Sequence, residues 1–204
     1  MIRRIRFLSL VFAGLAHLAA PRAVPAQATE TAVFAGGCFW GIEALFEHVK
    51  GVTESVSGYA GGTMPDPSYE MVTTGRTGHA ESVRVTYDPS KVSYTQLLAV
   101  FFAEHDPTTL DRQGPDRGTQ YRSAIFFTSD AQATTARAVI ERLSMAKAFK
   151  DPIVTKVVAL ERFYMAEDYH QDYLERHPLQ PYILINDMPK LRDMERRFPA
   201  LWQE

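Results

Sequence analysis

The sequence predicts an α+β fold in which a few helices pack on one face of a small mixed sheet. Short strand-like segments and helix-like segments follow one another in an irregular order. This order favours a two-layer α+β arrangement over a doubly wound parallel sheet. No internal repeat, low-complexity tract or linker divides residues 29–204, so we treat this part of the chain as one domain.

Four segments are predicted as strands because they are short, apolar or alternating: residues 31–35, 80–87, 123–128 and 153–160. Five segments with helical spacing of apolar side chains are predicted as helices: residues 38–50, 93–102, 130–149, 164–176 and 189–198. Ser93 with Gln96 has the pattern of a capping box, and Ser129 is a predicted N-cap. Two polar stretches, 57–77 and 106–121, are expected to be ordered loops.

The first 28 residues have the pattern of a secretory signal peptide. Three arginines precede an apolar run over residues 7–20, and Ala26-Gln27-Ala28 offers a small-x-small cleavage site. The apolar run has 14 residues, which is short for a membrane-spanning helix; an uncleaved anchor is the alternative. Cleavage after Ala28 would leave residues 29–204 as one exported domain. The Arg-led leader favours the periplasm, and the exterior of a Gram-positive cell is the alternative.

The charge balance excludes two classes of partner. Without the leader the chain keeps 18 Lys and Arg against 24 Asp and Glu, a formal net charge of −6. A net negative chain offers no electrostatic footprint for nucleic acid or for an anionic membrane. We therefore expect the partner to be a small molecule or another protein.

Cys38 is the only cysteine of the chain, so no intramolecular disulfide can form. Exported proteins usually pair their cysteines or lack them, and a lone thiol is either buried and inert or kept for its reactivity. A strand, two glycines and a helix place Cys38 in the first turn of that helix, a position that lowers the pKa of a thiol. Phe39 and Trp40 could form an apolar wall beside it. On this pattern alone both readings of the thiol stay open.

Other polar residues could complete a site around the thiol. Glu81 lies next to Ala80 at the start of a predicted strand, and a dry pocket would raise the pKa of its carboxyl until it served as a general acid near neutral pH. His79 is a rival proton donor or thiol activator. Tyr69 and Tyr121 could offer phenolic hydroxyls to a polar ligand atom. Taken singly, each is better explained as a solvated strand end or as a turn residue that caps the core.

No metal site is predicted. His170 with Asp172, or His170 with His177, are conceivable ligands, but neither pair has a recognised metal-binding spacing. The aromatic and Met side chains of residues 163–173 fall at helical spacing and are better explained as core or surface residues than as a cofactor pocket.

Five motifs together resemble the peptide-methionine (S)-S-oxide reductases, the A-type methionine sulfoxide reductases. In the family's order they are Gly37-Cys38-Phe39-Trp40-Gly41, Gly58-Tyr59-Ala60-Gly61-Gly62, Gly78-His79-Ala80-Glu81, His105-Asp106-Pro107 and Gly118-Thr119-Gln120-Tyr121-Arg122-Ser123. The resemblance covers about residues 32–160. It implies a ferredoxin-like two-layer sandwich, which is compatible with the predicted order of elements.

The resemblance also implies an activity, namely reduction of the S epimer of methionine sulfoxide, protein-bound or free, as a repair reaction for oxidised proteins and peptides. The family's nucleophile falls on Cys38 and its proton-donating carboxylate on Glu81. The substrate-binding positions, which enclose the methyl group and polarise the sulfoxide oxygen, fall on Phe39, Trp40, Tyr69, Asp116 and Tyr121.

The chain departs from the family pattern in its missing cysteines. Many members carry one or two further cysteines near the carboxyl terminus, but residues 177–183 and the segment after them have none, and Thr73 stands where some members have another. The resemblance therefore implies a monomeric one-cysteine enzyme with no bound cofactor. An external thiol, from a thioredoxin-like protein or a small molecule, would reduce the Cys38 sulfenic acid.

Two other functions stay open. Cys38 with His79 or His105 would suit a Cys–His acyl-transfer hydrolase, which needs no reductant. A redox sensor, or a module that only binds methionine sulfoxide, would form a sulfenic acid or a complex without completing a catalytic cycle.

Overall fold

The computed structural model describes residues 28–204, so the predicted signal peptide lies almost wholly outside the described residues. The strands are β1 (Glu30–Gly36), β2 (Val52–Ala60), β3 (Ala80–Tyr87), β4 (Arg112–Gln113), β5 (Asp116–Arg117), β6 (Ser123–Phe127), β7 (Lys156–Ala159) and β8 (Phe163–Met165). The α-helices are α1 (Phe39–Glu47), α2 (Tyr69–Thr73), α3 (Tyr94–Glu104), α4 (Asp130–Met145), α5 (Tyr173–Arg176) and α6 (Met188–Arg197). Short 3₁₀ turns cover Thr119–Tyr121 and Asp168–His170, and a π turn covers Ile183–Asp187.

Six strands form one mixed sheet in the order β7-β6-β1-β3-β2-β8. Only β6 and β7 run parallel, whereas the other neighbours are antiparallel. The inner four strands, with α1 between β1 and β2 and α3 between β3 and β6, have the β6-β1-β3-β2 order of a ferredoxin-like unit. The predicted α+β, ferredoxin-like fold is confirmed.

The main core lies between the sheet and the helices. Phe34 of β1 stacks on Phe46 of α1 and on Phe101 of α3, each at 5.0 Å between ring centroids, so both helices cover the same face of the sheet. All three rings are fully buried, and burial of an aromatic side chain contributes roughly 1.5–3 kcal/mol. The layer therefore holds α1, and with it Cys38, firmly against β1 and β3.

Several local predictions are confirmed. The strand predicted at 80–87 is β3, with Val83 and Val85 buried and Arg84 half-buried on the opposite face. The capping box of Ser93 and Gln96 forms at the start of α3. The hydroxyl of Ser129 accepts a hydrogen bond from the Gln132 backbone and caps α4.

The predicted loop at 57–77 is wrong in its first part, because β2 extends to Ala60 and pairs with β3 along its length. The small residues of this segment are typical of a loop, which is why the sequence predicted one. Gly58 in particular is required by close packing, since a Cβ there would lie 2.3 Å from the Phe163 ring and from the Tyr164 carbonyl oxygen of β8. The rest of the loop contains α2.

The single helix predicted at 164–176 is also wrong. Residues Phe163–Met165 form β8 at the edge of the sheet, and only Tyr173–Arg176 are α-helical. The Ala166 backbone N–H donates to the Ser57 carbonyl oxygen, which extends the contact with β2. Asp172 then has a φ of +50°, a left-handed conformation that separates this segment from α5.

Other boundaries differ less. The helix predicted at 130–149 ends at Met145, and the strand predicted at 153–160 narrows to Lys156–Ala159. The polar stretch 106–121 contains the small hairpin of β4 and β5. Among residues 28–204, no helix has the length and apolar character needed to cross a membrane.

Candidate active site

Cys38 lies where β1 turns into α1. It is the N-cap residue of α1 and is only 9% exposed. The turn needs Gly37, because its φ is +99° and a Cβ there would lie 2.5 Å from the Gln113 side chain. The sequence thus folds the only thiol of the chain into a buried position at a helix amino terminus.

Glu81 is held beside this helix terminus. It lies on β3 and is 2% exposed, and its Oε2 accepts a hydrogen bond of 3.0 Å from the backbone N–H of Phe39. Burial raises the pKa of the Glu81 carboxyl to about 8, although the Phe39 N–H acts in the opposite direction. The carboxyl is therefore mainly protonated at neutral pH and can donate a proton.

The pKa of the Cys38 thiol is raised, which corrects the expectation from its place on the helix. Burial is the main cause, and the charges of Glu81 and Asp187 raise the pKa further. The Trp40 backbone N–H and the Lys190 ammonium lower it, but by less. The effect of the helix terminus is real, yet desolvation of a buried thiolate is larger. Both Cys38 and Glu81 therefore hold their protons in the free site.

Tyr69 and Tyr121 face the same centre. Both side chains are half-buried, and burial followed by the charge of Glu81 raises both of their pKa values, that of Tyr69 to about 12. The charge of Cys38 raises the pKa of both phenols further. The two hydroxyls stay protonated and are available as hydrogen-bond donors near the thiol and the carboxyl.

Asp116 takes part indirectly. The hydroxyl of Tyr182 donates a hydrogen bond of 2.5 Å to Asp116 Oδ2, so this carboxylate anchors the carboxyl-terminal segment. Tyr182 also packs edge-on against Trp40, with 6.0 Å between ring centroids. The structure thus brings Asp116 to the site through a tyrosine that the sequence analysis did not single out.

Aromatic rings build an apolar wall next to Cys38. The indole of Trp40 stacks on Tyr173 at 3.8 Å, and its Nε1 donates to His170 Nδ1 over 3.1 Å. Phe39 is fully buried, with its ring 5.0 Å from that of His170. The ring of Tyr69 lies 4.4 Å from that of His170. His170 therefore holds three aromatic rings in place.

Glu167 is a positioning residue that sequence reasoning missed. Its Oε1 accepts from the backbone N–H of Tyr69 and its Oε2 from the hydroxyl of Tyr59, each over 2.8 Å. These bonds, and others to the same carboxylate, outweigh its desolvation and lower its pKa. Because the partners are about a hundred residues away in the chain, no local pattern could have indicated this role.

Asp187 and Lys190 form a second missed pair. Asp187 is fully buried, and its Oδ1 accepts a hydrogen bond of 2.9 Å from Lys190 Nζ. The carboxylate packs on Gly41 in the first turn of α1, where a Cβ would lie 2.1 Å from Asp187 Oδ1. The only sequence signal for this contact was Gly41, because a glycine in a helix can mark a place where another group packs closely against the backbone.

The two histidines of the hydrolase alternative are engaged elsewhere. His79 Nδ1 accepts from the Gly62 backbone N–H, and its Nε2 bonds to the Met64 carbonyl oxygen. His105 bonds through one ring nitrogen to the Phe101 carbonyl oxygen and through the other to Ser123 Oγ. Neither imidazole has a ring nitrogen left for Cys38, so the structure gives no support to a Cys–His hydrolase.

Comparison with known proteins settles the family. The model of the family described as Peptide methionine sulfoxide reductase matches residues 30–201. The chain belongs to the peptide methionine sulfoxide reductase family.

Individual members of this family are similar over nearly their whole length. The chain is 56% identical to the peptide methionine sulfoxide reductase MsrA 2 of Mesorhizobium japonicum, over 88% of this chain and 92% of the relative. It is 50% identical to MsrA 2 of Synechocystis, over 87% of this chain and 84% of the relative. Among solved structures, methionine sulfoxide reductase A of Corynebacterium diphtheriae is 41% identical with a TM-score of 0.70, covering 78% and 82% of the two chains. Reduced Mxr1 of Saccharomyces cerevisiae is 35% identical with a TM-score of 0.68, and the match covers 78% of this chain and 91% of Mxr1.

The raised pKa of Glu81 predicts a pH dependence of stability. A carboxyl whose pKa rises from its ordinary value of 4.5 to about 8 on folding binds its proton more tightly in the folded state. Its contribution to the free energy of unfolding is therefore complete below about pH 4.5 and is lost as the pH rises through about 8, at about 1.4 kcal/mol per unit of pKa difference.

Glu81→Gln removes this titration and should reduce the loss of stability between about pH 5 and pH 8 relative to the unmodified protein. The measurement is urea unfolding at both pH values. Glu104→Gln, on α3, removes another buried carboxyl, whose pKa burial raises to about 7, and should therefore reduce the loss of stability by less than Glu81→Gln does. An unchanged pH dependence in Glu81→Gln would show that Glu81 is already ionised in the folded protein.

Proposed function

We propose that this member of the family reduces the S epimer of methionine sulfoxide with Cys38 as nucleophile and Glu81 as proton donor. The observation that carries the assignment is the placement of the only thiol at the amino terminus of α1, next to a buried carboxyl held by the Phe39 N–H. Oxidised proteins and peptides are the substrates, and free methionine sulfoxide is a smaller substrate for the same site.

The chemistry balances with the groups at the site. The Cys38 sulfur attacks the sulfoxide sulfur while Glu81 protonates the sulfoxide oxygen, and the thiol proton restores the Glu81 carboxyl. Two electrons pass from Cys38 to the substrate sulfur, and the oxygen moves to Cys38. The products are methionine and a Cys38 sulfenic acid. No net charge accumulates in the buried site, which suits a pair of groups that both hold their protons beforehand.

The remaining site residues would fix the orientation of the substrate. Tyr69 and Tyr121 donate hydrogen bonds to the sulfoxide oxygen and stabilise the charge that develops on it. Phe39 and Trp40 receive the methyl group. Because the oxygen and the methyl group are then held on opposite sides of the pyramidal sulfur, only one epimer presents its sulfur to Cys38.

The second half-reaction would use an external thiol. Since the chain has one cysteine, a thiol from outside displaces the sulfenic oxygen as water and forms a mixed disulfide with Cys38. A second thiol then releases Cys38 and leaves with the first as a disulfide. We propose a thioredoxin-like protein or a small thiol for this role. A buried Ile183 follows Tyr182 in the segment where many family members carry a cysteine.

Residues 1–28 would export the enzyme, which we place in the periplasm as a monomer. The support for export is the pattern of the leader, in which basic residues are followed by an apolar run and then by small residues. Expression of the full chain with its own leader in a Gram-negative host should yield a periplasmic protein whose first residue is Thr29. Amino-terminal sequencing checks this, and a protein that keeps Met1 in the cytoplasm would refute export.

The proposed reaction predicts strict stereochemistry. With excess dithiothreitol, the protein should reduce the S epimer of a blocked methionine sulfoxide and leave the R epimer unchanged, as followed by chiral chromatography. Cys38→Ser should abolish turnover because a hydroxyl does not form the sulfenic acid. Turnover of both epimers, or activity in Cys38→Ser, would contradict the assignment.

A carboxyl variant in the same assay separates the proposal from its rivals. Glu81→Gln should slow reduction about 10²–10⁴-fold, the usual contribution of a general acid, while Glu104→Gln should leave the rate unchanged. A Cys–His hydrolase would keep its activity in Glu81→Gln and turn over an ester without thiol. A redox sensor would form the sulfenic acid but show no continuous turnover.

A further inference from the structure

Three carboxylates lie close together near the middle and the carboxyl-terminal end of α1. Glu43 and Glu47 lie one turn apart on the same face of α1, and Asp172 approaches them from the segment before α5. One carboxylate oxygen from each lies within 4.8 Å of the others. Like charges so close together repel one another, so this cluster requires either protons or a cation.

The protein itself supplies little positive charge to this cluster. Arg176 Nη2 lies 2.9 Å from Asp172 Oδ2, but within residues 28–204 neither Glu43 nor Glu47 forms an ion pair with Lys or Arg. Of the three carboxylates, only Asp172 is thus paired with a cationic side chain within residues 28–204.

Two buried oxygen atoms, one in the cluster and one next to it, have no hydrogen-bond partner among residues 28–204. Glu43 is 1% exposed, and its Oε2 makes no hydrogen bond, although its Oε1 accepts from the Ser57 backbone N–H. Ser55, on β2, is 9% exposed, and its Oγ is also unpartnered. Ser55 lines a cleft of about 300 Å³ together with Glu47 and Asp172. Buried polar atoms normally have partners, so these two oxygen atoms are available to a ligand.

We propose that Glu43, Glu47 and Asp172, with Ser55 Oγ, bind a calcium ion in this cleft. The donor set consists only of oxygen atoms, which hard cations prefer. Calcium binds its ligands at about 2.3–2.6 Å in flexible geometry, so oxygens separated by up to 4.8 Å can all reach one ion with little movement. Magnesium requires about 2.0–2.1 Å in a strict octahedron and fits this arrangement less well.

The position of the cleft gives the ion a structural role. Tyr173, next to Asp172, stacks on Trp40 at 3.8 Å, and the Gln171 side chain bonds to both backbone groups of Ser57. A calcium ion shared between α1 and Asp172 would fasten this segment to the helix that carries Cys38. The bound ion would thereby fix the ring that supports the Trp40 wall. Binding of the ion does not depend on the reaction proposed above.

The test is calcium binding by the full chain in metal-free buffer near pH 7.5. Calorimetric titration with calcium chloride should give one site per chain, and the melting temperature should rise by several degrees at saturating calcium. Glu47→Gln and Asp172→Asn should each weaken binding at least tenfold and remove the shift. Glu141→Gln, which removes an exposed carboxylate of α4 outside the cluster, should behave like the unmodified protein.

Two outcomes would overturn the proposal. One is the absence of both heat and melting-temperature shift with calcium on the unmodified protein, which needs no variant to fold. The other is an equal response to calcium and magnesium that survives in Glu47→Gln. In either case protons shared among the three carboxyls would neutralise the cluster, and the reductase assignment would be unaffected.

Discussion

The structure depends on the confinement of two acidic groups in one dry site at the amino terminus of α1. Cys38 and Glu81 are both buried there, and burial raises the pKa of each. Because burial raises the pKa of both groups and the charge of Glu81 raises the pKa of Cys38 further, the site favours a state in which both are protonated. A sulfoxide oxygen is a proton acceptor. When substrate binds, Glu81 can therefore protonate that oxygen and take up the thiol proton in turn. This constraint explains why a thiol at a helix terminus can remain protected until substrate binds.

The rest of the fold serves to hold that pair. The stacking of Phe34 between Phe46 and Phe101 fixes α1 and α3 on the sheet, and the Phe39 N–H fixes the Glu81 carboxyl at 3.0 Å. The carboxyl-terminal half supplies the surroundings. His170, Tyr173 and Tyr182 brace Trp40, and residues of this half therefore form a wall of the site without supplying a second thiol.

Local patterns in the sequence were sufficient for β3, for the capping box of α3 and for the motif around Cys38, because each depends on neighbours in the chain. The strands β2 and β8 were missed because each is stabilised by segments that are distant in the chain: β2 pairs with β3 along its length, and β8 pairs with the end of β2. Gly58 indicated a loop in the sequence, but in the structure a glycine is required there by the close packing of Phe163 and Tyr164. Glu167 acts on Tyr69 and Tyr59, which lie 98 and 108 residues away. The direction of the Cys38 pKa was mispredicted for the same reason, since the helix terminus is local and burial is not.

The central claim is that one sulfur atom carries the whole reductive half-reaction. It is tested most directly by mixing the reduced protein with excess S-epimer substrate in the absence of any thiol. The account predicts a burst of one methionine per chain, followed by arrest, with one oxygen atom added at Cys38 and visible by mass spectrometry of the peptide that contains it. Methionine formation that continues past one per chain, or a burst that leaves Cys38 unmodified, would contradict it.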